Sequence, residues 1–326
     1  YYLNSIIKKL RKMKMLNVKK TKVAALLAVI LGSSLLSACD GDDGTNGVNG
    51  TDGTNGKNLT APAKLTRLAT VPVGAEITGI FLTDNDELFF NVQHPSDLSG
   101  NDTAAKVGVV TGFDWSTLDP LTADLTVPAT DAEKLAIRLV AGEYQVIGNA
   151  GDTFTNQLPH GLGSITTSDG IIEIKQSQDP DFNAFVPTSA SGNTGYLFTA
   201  WEDRPGAMSR IELTKEESGS WITGDVVNVD FSTVLGTLIN CFGTLSPWNT
   251  PLTSEENYEA ENTVQWNNTD YLDGYPSYSD VKNLQTYLAT STLPNPYNYG
   301  YIVEIMNPTS SSPTPVKHFT LGRVAH

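Results

Sequence analysis

Glu76-Ile77-Thr78-Gly79-Ile80-Phe81-Leu82 and Glu87-Leu88-Phe89-Phe90-Asn91-Val92 flank the triplet Asp84-Asn85-Asp86. Both runs are rich in β-branched and aromatic residues, and the acidic and amide side chains between them supply turn chemistry, so the stretch predicts a β-hairpin. The same texture continues along the chain. Val107–Phe113, Tyr144–Ile147, Ile171–Lys175, Gly195–Trp201, Met208–Leu213, Val226–Phe231, Tyr301–Ile305 and Val316–Leu321 read as strands, punctuated by Asp169-Gly170 and Asp203-Arg204-Pro205-Gly206. Helix signals are few. Ser279–Ala289, capped by Ser279 or Asp280, is the clearest. Thr253–Ala260, opened by Glu255 and Glu256, is a second helix-like segment. Many short strands joined by polar turns predict an all-β domain over 65–326, built as a sandwich, a barrel or a propeller. No internal repeat is regular enough to choose among them.

Upstream of this domain the order is basic, apolar, small. The chain opens on Tyr1, with Met13 and Met15 as plausible initiators further along. Lys14, Lys19, Lys20 and Lys22 precede the apolar run Val23–Leu36, and Leu36-Ser37-Ala38-Cys39 follows. The run is shorter than the roughly 20 apolar residues a membrane span needs and ends in small residues, as a cleaved signal peptide does. Residues 1–38 are expected to be that signal, of lipoprotein type. Cys39 is expected to carry the lipid, holding the protein to a bacterial membrane on the exported side. Residues 39–60 continue the anchor as a tether. Glycine recurs at 41, 44, 47, 50, 53 and 56 without proline. A short collagen-like run lacking proline would be marginal as a triple helix, so a flexible disordered linker is expected, with trimerisation as the minor alternative.

Charge narrows the function. Eight of the 21 basic residues and none of the 36 acidic ones lie in 1–38, leaving 13 against 36 and a formal charge of −23. Such a surface repels a phosphate backbone, so no nucleic acid partner is expected. Once Cys39 is lipidated, Cys241 is the one remaining cysteine. An unpaired thiol in an oxidising compartment must be buried or bound. It sits in Asn240-Cys241-Phe242-Gly243-Thr244-Leu245-Ser246-Pro247-Trp248, which runs on to Glu255-Glu256. A thiolate suits iron, zinc or copper, and carboxylates suit calcium, magnesium or ferric iron. From the residues alone the favoured reading is structural: Cys241 as a buried small residue, Trp248 in the core, and Glu255 and Glu256 opening a helix. His94 and His318 read as structural beside strands. His160, on the glycine-rich loop Gln157–Gly163, is open to a functional role. Gly161-Leu162-Gly163 is too short for a nucleotide loop.

The segment from Cys241 to Glu256 resembles the signature of the PhoX family of secreted alkaline phosphatases: a Cys, a turn with Gly, Ser-Pro-Trp, a short apolar stretch and a Glu-Glu pair. Gly195–Glu202, Gly206–Ile211, Leu321–His326 and Leu88–Pro95 resemble further phrases of that family. The similarity spans roughly Glu76 to His326. It implies a β-propeller, incomplete here and expected to continue past His326. It also implies a monomeric hydrolase of phosphate esters that uses iron and calcium. Cys241 is then the thiolate ligand to iron, Glu255 or Glu256 a carboxylate ligand, and Glu202 a third. The chain departs from the pattern at Thr244, Asn249, Ser254 and Trp201, where the family has Gly, Gly, Cys and His. Those departures keep open an alternative, a non-catalytic propeller lipoprotein that binds a surface ligand or partner.

Overall fold

A computed structural model describes residues 65–97, 100, 102–119, 122–154, 158–256 and 278–324. The signal peptide (1–38), Cys39, the tether (40–60), Asn257–Ala260 and His326 lie outside them. The chain divides into two units, Tyr1–Thr66 and Arg67–His326; all that follows concerns the second.

Three four-stranded antiparallel sheets dominate. The first joins β2 (Glu76–Leu82), β3 (Leu88–Gln93), β4 (Lys106–Thr111) and β6 (Glu143–Asn149). The second runs β9 (Pro180–Pro187), β10 (Thr194–Trp201), β11 (Ala207–Lys215) and β12 (Trp221–Asn228). The third runs β13 (Asn240–Leu245), β14 (Pro251–Glu255), β15 (Ile302–Met306) and β16 (Thr314–Lys317). Two short pairs complete the set: β1 (Ala69–Thr70) with β5 (Arg138–Leu139), and β7 (Ser164–Thr166) with β8 (Glu173–Gln176). The expected hairpin forms. Thr83 N donates to Glu87 O, Asp86 N donates to Thr83 O, and Asp86 takes a left-handed φ of 61°.

The first two strands of the middle sheet, β9 and β10, are buried on both faces. Phe182, Ala184 and Val186 of β9 join Phe198, Met208, Val303 and Ile305 in one core. Phe185 and Leu197 join Phe89, Val107, Ile211 and Trp221 in the other. Successive strand residues point to opposite faces, so a strand flanked by two cores reads as a continuous apolar run. Each buried aromatic contributes about 1.5–3 kcal/mol. β9 also packs against β2 and β13, the first strands of the neighbouring sheets.

Some expected boundaries shift. Thr253–Glu255 is strand rather than helix: β14 pairs with β13 on one side and β15 on the other, and sheet pairing overrides the acidic helix-start signal. Val316–Leu321 is strand only to Lys317; Phe319–Leu321 turns into a 3₁₀ segment. Ile171 and Ile172 are exposed, and their strand begins at Glu173. The helix over Ser279–Ala289 forms as Tyr278–Tyr287.

Candidate metal centre

β9 and β10 are antiparallel, with Pro180 opposite Trp201, so the start of one lies beside the end of the other. Asp181 and Glu202 therefore share one end of the middle sheet. Cys241, at the start of β13, reaches the same place. One oxygen of each carboxylate and the Cys241 Sγ lie within 4.8 Å of one another. Sγ donates to Asp181 Oδ2 at 2.9 Å.

The backbone that holds the cluster is tightly specified. Asn91 Nδ2 donates to Asp181 O at 2.9 Å. Asn183 Nδ2 donates to Asn91 Oδ1 and to Gly79 O, and Thr199 Oγ1 donates to Asn183 Oδ1. This network is buried and satisfied, which favours one arrangement over its neighbours. Gly79 is needed at the contact. Its φ is +55°, and a Cβ there would come within 2.1 Å of Asp181 O. On the other side, Glu202 N donates to Asp179 O, and Ile239 N donates to Asp203 O. Glu256 N donates to Ile239 O at 2.8 Å. These bonds tie the segment after β10, the approach to β13 and the exit from β14 together. Gln93 Nε2, at the end of β3, donates to Glu202 Oε2 at 3.2 Å.

The electrostatics are those of crowded acids. Burial first, then the Asp181 charge, push Glu202 up to about 7, with Glu256 adding to the rise and the Gln93 hydrogen bond opposing it. Burial also pushes the Cys241 thiol far up, reinforced by Asp181, Glu202 and Glu256. A cation inverts this logic, because it favours every deprotonated ligand around it.

Of the residues singled out from sequence, Cys241 and Glu202 are brought together, and Glu256 acts on both. Glu255 is not brought to them. Its Oε1 accepts from Leu238 N and Lys317 Nζ, and its Oε2 accepts from Gly300 N and Tyr301 N. Glu255 and Lys317 are both fully buried, 3.2 Å apart, with the ammonium 4.4 Å from the Tyr299 ring centre. Burial pushes the Glu255 carboxyl up and the Lys317 ammonium down, each opposed by the other's charge. The described histidines stand apart: His318 Nε2 bonds Glu304, His160 faces Glu173, and His94 contacts Gly74 O. Asp181 is the ligand candidate that sequence reasoning misses. Its only local signal is a carboxylate between Pro180 and the apolar run Phe182–Val186.

The described domain is thus a mostly β protein with a buried thiol and two carboxylates converging at one sheet end. Residues 208–326 match the family model described as Alkaline phosphatase PhoX. The match contains Cys241, Glu255 and Glu256 and begins after Glu202. This family implies a phosphomonoesterase. Comparison with curated proteins and with solved structures found no match.

Proposed function

We propose that the chain is a metal-dependent phosphatase that hydrolyses phosphate monoesters outside the cytoplasm with iron and calcium. The observation that carries this reading is the convergence of Cys241 Sγ with Asp181 and Glu202 within 4.8 Å, in a chain whose residues 208–326 match a phosphatase family. The donor set fits the metals: the soft thiolate suits iron and the carboxylates suit calcium or ferric iron. A bound cation would also relieve the acidic crowding that lifts Glu202 and Cys241. Cys241, Asp181 and Glu202 would hold the ion, with Glu256 at the edge.

The metals supply Lewis acidity and charge neutralisation for a phosphoryl group. The chain's own residues supply the rest. Gln93 orients Glu202, and Asn91 with Asn183 fixes the backbone at Asp181. The antiparallel order within each four-stranded sheet, and the packing of β9 against β2 and β13, support reading the three sheets as blades of a β-propeller. The basic, apolar and small residues ahead of Cys39 support lipid anchoring. Cys39→Ser should move the protein from the membrane to the soluble fraction; a variant as firmly bound as the parent would defeat the anchor.

Metal titration tests the site. Metal-free protein should take up iron and calcium, with thiolate-to-iron absorption in the visible. Cys241→Ala should remove that band, and Asp181→Asn should weaken uptake at least tenfold. Uptake unchanged in both variants would sink the metal reading. The non-catalytic alternative has one observation of its own. Phe242 and Trp248, inside the signature segment, are 57% and 65% exposed, as in a surface that meets a partner. Calcium uptake without iron and without hydrolysis would favour it.

A further inference from the structure

A cavity of about 380 Å³, separate from the thiol–carboxylate cluster, lies between the β7–β8 pair, the β12 end and helix Tyr278–Tyr287. None of Asp181, Glu202, Cys241 or Glu256 lines it. Its volume lies in the range of small-molecule sites. Its walls combine apolar patches from Leu158, Ile165 and Phe231 with hydroxyls and carboxylates, and no Lys or Arg is among the described residues that line it.

Ser164 marks it as a site. This residue lines the cavity, is 1% exposed, and its Oγ has no hydrogen-bond partner among the described residues. A buried hydroxyl left unpaired costs about 1–3 kcal/mol, a cost that a water or a ligand hydroxyl seated beside it would remove. At the rim, Asp230 accepts from Ser232, and Tyr287 OH lies 3.4 Å from Asp230 Oδ1. Asp169 accepts from Thr167 Oγ1 and Ile171 N, and His160 faces Glu173 at 3.5 Å. Carboxylates accept hydrogen bonds and repel anions. The matching ligand donates several O–H groups and carries no negative charge where it sits.

We propose that this cavity binds a polyol or sugar. Two sources share that chemistry: a free polyol, and the alcohol part of a phosphate ester. The second rests on the phosphatase reading, and the fold favours it. Gly206 and Ala207 line the cavity, and Ala207 is paired with Trp201, the residue before Glu202. The cavity thus borders the end of the middle sheet that carries Glu202.

The test uses the complete protein in two arms. In the first, glucose and glycerol are titrated and binding is followed by calorimetry. Saturable binding of glucose is expected, weakened at least tenfold by Ser164→Val and by Asp230→Ala. Asp230 is exposed, so its variant is informative if Ser164→Val fails to fold. In the second arm, hydrolysis of glucose 6-phosphate is compared with that of p-nitrophenyl phosphate. The same variants should raise KM for the sugar phosphate about tenfold and leave the aryl ester unchanged. Glucose binding without any hydrolysis assigns the cavity to a free polyol and counts against the phosphatase reading alone. Hydrolysis of both esters with no sugar binding, and variants that treat the esters alike, overturns the cavity proposal while the phosphatase reading stands.

Discussion

Glu255→Gln should unfold the protein more easily without weakening metal uptake. Glutamine keeps the shape of glutamate but loses the charge that pairs with Lys317, and both groups are fully buried. Removing one partner of a buried pair leaves the other uncompensated and costs about 3–5 kcal/mol. A second effect acts in the same direction. Four N–H donors converge on the two carboxylate oxygens, from Leu238, Gly300, Tyr301 and Lys317. An amide offers one oxygen, so its NH₂ must face a donor, an unmet bond of about 1–3 kcal/mol. These costs overlap, and a net loss of about 4 kcal/mol is expected. Urea unfolding followed by tryptophan fluorescence measures it. The double variant Glu255→Gln/Lys317→Met should recover much of the loss, because it removes the buried charge as well. Glu256→Gln should behave in the opposite way, weakening metal uptake with a stability change under about 1 kcal/mol. A Glu255→Gln protein as stable as the parent but poor in metal would refute the division between the two neighbours.

Two further outcomes follow from the same geometry. Gly79→Ala should cost several kcal/mol, more than the roughly 1 kcal/mol of an ordinary substitution, because Asp181 O, Asn91 and Asn183 all lie inside the space its Cβ needs; chemical denaturation with retained stability would show that Asp181 is held in some other way. In metal-free protein, Glu202 is raised from 4.5 to about 7 in the folded state, so the unfolded chain releases that proton first and stability falls as pH rises from 4.5 to about 7. Thermal melts across this interval should show that slope relative to Glu202→Gln, and added calcium should flatten it; parallel curves for parent and variant would contradict the crowding.

Much of this was legible in the sequence where the signal is local. The hairpin over 76–92 needs only its two β-rich runs and its turn. Cys241, alone in the domain, had to be buried or bound, and it is 5% exposed with its thiol on Asp181. β9 is not legible from local sequence, because Pro180 and Pro187 bound it and Asn183 interrupts its apolar run. Those features are explained by what surrounds the strand: two cores and a buried amide network. Asp181 was hidden for the same reason, since the β9–β10 pairing that sets it beside Glu202 cannot be read from residue spacing. The Glu255-Glu256 pair was half legible. Neighbouring residues leaving a strand point to opposite sides, so one carboxylate turns to the thiol and the other to Lys317. Which one does so depends on the β15 and β16 partners, which local sequence does not announce.

Hydrolysis of p-nitrophenyl phosphate by the complete, iron- and calcium-loaded protein tests the central claim most directly, measured beside Cys241→Ala and Asp181→Asn. The account predicts turnover by the parent, its loss on chelation of the metals, and a fall of at least about 100-fold in each variant, equivalent to roughly 2.7 kcal/mol of transition-state stabilisation. A metal-loaded parent inactive on every monoester tried, or a Cys241→Ala protein as active as the parent, would contradict it.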